Sequence, residues 1–179
     1  MPNRTKLKKV SDQKEISPHG IVKLLLADHK LLRSLMKEIK SQKATPKQVK
    51  KAYKELKAAV ESHVTAEEKT FLDLIKDHPS FEDHALESRE EHRVHEYVFA
   101  GIKKVKDSER QAEQMKIYCE MLEHHLDEEE EDLFPLFKKT FATSTAKKAA
   151  VHYSKVRKST NTAKKNRGAT RFKTKKANS

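Results

Sequence analysis

One pattern occurs twice in this chain, 62 residues apart: His63-x-x-x-Glu67-Glu68 and His125-x-x-x-Glu129-Glu130. On a helix, residues four apart share a face, with Cβ atoms about 5–6 Å apart. Each copy therefore points an imidazole nitrogen and a carboxylate oxygen in one direction. Both copies sit on apolar stripes of helical period. Val49, Tyr53, Leu56, Val60, Phe71 and Leu74 surround the first, and Tyr118, Met121, Leu122, Leu133 and Phe137 the second. Burying such polar pairs without partners is costly, so the two helices are expected to face each other across something that satisfies them.

Two more helices carry one histidine each. His29 lies among Val22, Leu25, Leu26, Leu32, Met36 and Ile39, and His92 among Leu86, Phe99 and Ile102. Helix starts are read at Ser17, Thr45, Ser80 and Ser108, whose hydroxyls accept free first-turn N–H groups. Thr45/Gln48, Ser80/Asp83 and Ser108/Gln111 resemble capping boxes. Pro18 and Pro46 stand at first helical positions, where a missing N–H breaks no bond.

These starts expose a duplication. Both caps of the first hairpin recur at an offset of 63, as His29 does at His92, whereas His63 and Glu67 recur at 62 as His125 and Glu129. Asp28-His29-Lys30 matches Glu91-His92-Arg93, and Glu67-Glu68 with Phe71-Leu72 matches Glu129-Glu130 with Leu133-Phe134. Two helical hairpins related by a pseudo-twofold axis explain this most simply. At a rise of about 1.5 Å per residue, all four histidines meet near the middle of an all-α, up-down-up-down four-helix bundle spanning residues 17–140. Pro135 is expected to kink or end the fourth helix.

Four histidines at one depth with two carboxylates make a metal-site constellation. The candidate ligands are His29, His63, Glu67, His92, His125 and Glu129. An imidazole-rich set suits iron, zinc or copper, and two carboxylates between two histidine pairs favour a bridged dinuclear centre. Iron is the first expectation, with zinc or manganese behind it. His95 is read as a hydrogen-bond donor behind the ligands in preference to a further ligand, and Glu96 as a flanking residue in preference to a ligand. His124 falls out of register with the first copy of the pattern. Cys119 should point away from the site, and His19, His78, His84 and His152 into solvent.

On these residues the segment from about Ser17 to Thr140 resembles the hemerythrin-like, or HHE cation-binding, domain. Asp28-His29, His63-x-x-x-Glu67-Glu68, Glu91-His92 and His125-x-x-x-Glu129-Glu130-x-x-Leu133-Phe134-Pro135 carry the resemblance. It implies a four-helix bundle around a non-haem di-iron centre held at the six positions above. Oxygen-carrying hemerythrins have a second histidine four residues on in helix three, where this chain has Glu96. The expectation is accordingly an iron, oxygen or nitric oxide sensing or binding protein. The alternatives are a di-iron enzyme acting on nitric oxide or peroxide, or an iron store.

The formal net charge of +12 falls entirely after the bundle, because residues 141–179 hold 12 Lys or Arg and no Asp or Glu. This basic tail is read as disordered and as an arm for nucleic acid, bound through its phosphates, with Tyr153 and Phe172 considered as base-stacking groups. Residues 1–16 form a polar N-terminal segment. One cysteine excludes an internal disulfide, and no run approaches the roughly 18 apolar residues of a membrane span. The chain is read as cytoplasmic, with nucleoid or nuclear association through the tail.

Overall fold

The computed structural model describes the backbone of residues 20–176 and the side chains of residues 20–160. Ser17, Pro18, His19 and the polar N-terminal segment lie outside the described residues, as does the side chain of Phe172. Helices α1 (Gly20–Ile39) and α2 (Pro46–Glu67) form one hairpin, and α4 (Glu82–Lys104) and α5 (Ser108–Glu128) the other. A π-helical turn, Glu68–Leu72, and the short α3 (Asp73–Ile75) extend α2. A second π-turn, Glu129–Leu133, joins α5 to α6 (Phe134–Thr140), and α7 (Thr143–Lys176) follows. No described helix is long and apolar enough to cross a membrane.

The apolar stripes build two separate cores. One gathers Ile21, Leu25, Phe71, Phe134 and Phe137, and the other Leu32, Met36, Tyr53, Leu56, Tyr118 and Leu122. Along α1 the first core precedes His29 and the second follows it; along α2 the order reverses around His63 and Glu67. The histidines and glutamates thus form a polar layer between two apolar ones. Two residues assigned to the stripes face outward instead, Leu86 at 60% and Met121 at 37% exposure. The buried faces of their helices run through Ala85, Ser88, His92 and Leu122, Leu126.

Helix starts follow burial as much as capping chemistry. Thr45 caps α2 with the full reciprocal box to Gln48. The N-cap of α4 falls one residue later than expected, at Phe81 in place of Ser80, where the ring is fully buried and meets His78 edge-on. Asp107, not Ser108, caps α5, accepting from the Arg110 N–H at 2.7 Å. A carboxylate at a helix N-terminus also gains from the macrodipole. Gln111, freed from a capping box, donates to the Ile102 and Val105 carbonyls and closes the end of α4. With Asp107 as cap, His125 lies as far into its helix as His63 does after Thr45, which removes the one-residue mismatch in the duplication.

Pro135 neither ends the fourth helix nor breaks α6. Because the π-turn intervenes, it falls in the first turn of α6, where no intrahelical N–H is required.

The basic tail departs most from expectation. Its described part is helical from Thr143, and Ala146, Ala149, Ala150 and Tyr153 are buried against α1 and α2. These four recur at helical spacing, and the three alanines among them are small enough for close approach. Gly20 supplies the matching gap on α1: a Cβ there would lie 2.8 Å from the Ala146 carbonyl oxygen.

Candidate metal centre

The structure brings all six candidate residues to one place between the two apolar cores. His29 Nε2 lies 3.2 Å from Glu129 Oε2, and His63 Nε2 lies 3.3 Å from Glu67 Oε2. Across the bundle, His92 Nε2 is 3.7 Å from Glu67 Oε2, His125 Nε2 is 3.7 Å from Glu129 Oε1, and the two Nε2 atoms are 3.2 Å apart. Two groupings result, His29, His63 and Glu129 on one side and Glu67, His92, His125 and Glu129 on the other. Every member is at most 4% exposed. Glu129 belongs to both, and Glu67 reaches a histidine on each side.

These residues fit a pair of cations. All four oxygens of Glu67 and Glu129, together with Nε2 of His29 and of His63, are buried without a hydrogen bond. Each such group costs about 1–3 kcal/mol, against a total folding stability of roughly 5–15 kcal/mol for a domain. Their concentration at one point is intelligible if they coordinate. The electrostatics agree. Burial pushes the Glu129 carboxyl up, and the neighbouring Glu67 charge pushes it further. Burial lowers the His63 imidazole, but Glu67 and Asp28 outweigh it and lift His63 to about 10. Burial and His63 bring His29 down to about 4.

The outer nitrogens show how the histidines are aimed. His29 Nδ1 meets Glu130 at 2.8 Å, His92 Nδ1 meets Glu68 at 3.0 Å, and His125 Nδ1 meets Glu91 at 2.6 Å. An ionised carboxylate only accepts, so each Nδ1 carries the hydrogen and each Nε2 lone pair faces the interior. His63 differs. Its Nδ1 is 3.2 Å from the Tyr153 hydroxyl, which donates to Asp28, while Asp28 itself is 3.6 Å away. Arg157 clamps both oxygens of Asp28, at 2.6 and 2.8 Å, and also donates to Ser62. Despite burial, these donors hold Asp28 well below the usual carboxylate range, with His63 contributing most. Arg33 steadies Glu130 from α1 and Arg89 approaches Glu68 from α4.

The sequence reading missed these outer partners, although their signal was present. Four of the six inward-facing residues have an acidic neighbour in the sequence, in Asp28-His29, Glu67-Glu68, Glu91-His92 and Glu129-Glu130, and every one of those neighbours approaches a histidine on another helix. Tyr153 and Arg157 had no such signal.

The remaining candidates separate clearly. Glu96 and His124 are exposed, and His124 pairs with Glu128 at 3.4 Å. His95 is 4% exposed and its ring lies 5.4 Å from those of His125 and Tyr118, but its Nδ1 has no partner and it joins neither ligand grouping. Burial and the neighbouring histidines bring it down to about 3. Cys119 is buried in the second apolar core, away from the site. His152 is exposed, whereas His78 and His84 are half-buried, and His78 packs on Phe81 and Phe141. Tyr153 is only 2% exposed, which removes it as a base-stacking group.

No curated protein and no solved structure matches the chain. The family model of the hemerythrin HHE cation binding domain matches residues 20–141, a span that contains all six inward-facing residues and every carboxylate behind them. The chain belongs to the hemerythrin HHE cation-binding domain family.

Proposed function

We propose that the bundle is a non-haem di-iron protein that binds or senses iron, oxygen or nitric oxide. In this reading His29, His63 and Glu129 would hold one ion, and Glu67, His92 and His125, with Glu129 shared, would hold the other. The observation that carries it is the set of buried, unbonded oxygens and nitrogens shared between two histidine pairs. When bound, a di-iron pair supplies one-electron redox chemistry and open positions for a small ligand.

The chain's own residues do the rest. Glu68, Glu91 and Glu130 fix the tautomers of His92, His125 and His29, Tyr153 backed by Asp28 orients His63, and the apolar layers exclude bulk water on either side. Helix α4 offers His92 and keeps Glu96 in solvent, which supports a sensing or binding role over stable oxygen carriage. Metal analysis with optical spectra under anaerobic, aerobic and nitric oxide conditions tests the reading. Two irons per chain and a spectrum that responds to nitric oxide are expected; a chain without bound iron contradicts it.

We further propose that the end of α7 contacts nucleic acid. Support comes from the charge beyond Thr160, where seven Lys or Arg and no Asp or Glu remain.

A further inference from the structure

The two halves of the bundle differ where the centre approaches the surface. Between α4, α5 and the second π-turn lies a pocket of about 60 Å³, whose walls include His84, Glu87, Glu91, Glu128, Glu129 and Asp132. As space for the centre of a water-sized sphere, of which about 10–15 Å³ suffices for one water, it is large enough for a hydrated entrance. Glu129 is 2% exposed and neither of its oxygens has a hydrogen bond. Glu91 binds His125 Nδ1. The pocket therefore runs from solvent to the wall formed by Glu129, whose carboxylate is buried behind it.

The duplication gives each of these residues a counterpart: Ile21, Leu24, Asp28, Ala66, Glu67 and Thr70. On that side the opening is closed. Ile21, Ala66 and Glu67 are fully buried and Thr70 is 5% exposed. Helix α7 lies over α1 and α2 there, with Ala146, Ala150 and Tyr153 buried against them. Four outer acidic groups and a histidine line one mouth, with Glu129 behind them. The other retains a single outer carboxylate, Asp28, which Arg157 neutralises.

We propose that the mouth formed by Glu87, Glu128 and Asp132 is the port through which divalent cations reach the centre, and that α7 seals its pseudo-symmetric counterpart. The inference rests on Glu129 being a ligand. Clustered carboxylates at a narrow opening between low-dielectric walls concentrate cations and speed their capture. Oxygen donors suit a hard, partly hydrated ion in transit, which the nitrogen-rich inner set then retains.

The test follows uptake of cobalt(II) by the metal-free full-length chain, read by visible absorption in a stopped-flow instrument. The variant E87Q/E128Q/D132N removes the charge of the mouth. The variant E109Q/E113Q/E120Q removes the same charge from exposed positions elsewhere on α5. The mouth variant should load about ten-fold more slowly at low salt and lose most of its salt dependence, with final stoichiometry unchanged and the control at the wild-type rate. Equal rates for the two variants, at full stoichiometry, overturn the port alone. A wild-type chain that takes up no cation overturns the ligand assignment, and the port with it.

Discussion

The Tyr153 hydroxyl on α7 donates to Asp28 Oδ2 on α1 at 2.5 Å and stands 3.2 Å from His63 Nδ1. A residue outside the family match thus completes the hydrogen-bond chain behind one inward-facing histidine. The equivalent histidine, His125, meets its carboxylate directly, so the two halves of the centre are chemically unequal.

Tyr153→Phe should remove that link while leaving Asp28 on Arg157. A hydrogen bond to a charged group contributes about 1.5–3 kcal/mol, and loss of a partner behind a ligand lowers metal affinity by about 10–100-fold. Denaturant unfolding of the metal-free chain and competition with a chelator measure the two effects separately. Unchanged affinity would make Tyr153 a packing residue only.

Two truncations should behave differently. Ending the chain after Thr140 uncovers Gly20, Ile21 and Asp28 and should lower stability and metal retention. Ending it after Thr160 keeps the buried face of α7 and should spare both, while removing seven cations. If those cations meet phosphates, gel-shift affinity of the full chain for DNA or RNA falls by about 10³–10⁵ between about 50 and 200 mM salt. The chain ending at Thr160 should then bind weakly at any salt concentration.

Two glycines predict opposite signs. Gly20→Ala drives a Cβ to within 2.8 Å of the Ala146 carbonyl oxygen and should cost about 1–3 kcal/mol by overpacking. Gly101→Ala, with nothing within 4 Å in the interior of α4, should stabilise by about 0.5–1 kcal/mol. Thermal or denaturant unfolding of both variants checks the pair.

The metal-free chain should lose stability as pH rises from about 7 towards 10. His63 is lifted from 6.5 to about 10 and Glu129 is raised above its ordinary value, so across this window the folded state binds more protons than the unfolded state. The stability they contribute is full at lower pH and fades as each deprotonates. Metal-loaded protein should move the other way, because cations displace those protons. Unfolding midpoints across the range for both forms provide the check.

Helical periodicity made the centre legible in the sequence. His63 and Glu67, and His125 and Glu129, share a face by spacing alone, and the duplication selected His125 over His124. Caps were less legible, since Phe81 and Asp107 owe their roles to a buried ring and to a carboxylate one residue before the expected serine. Leu86 and Met121 are apolar yet exposed, because the buried stripes are filled by smaller or polar residues such as Ala85, Ser88 and His125. The docked face of α7 was hidden by composition. Alanines at 146, 149 and 150 carry little hydrophobic signal among lysines, and their value lies in fitting closely over Gly20.

The most direct test of the dinuclear assignment is iron content per chain in wild-type protein and in Glu67→Ala/Glu129→Ala. The account predicts two irons in the wild type and loss of the dinuclear centre in the variant, with the helical circular dichroism spectrum retained. A variant that keeps two irons with an unchanged optical spectrum would contradict it.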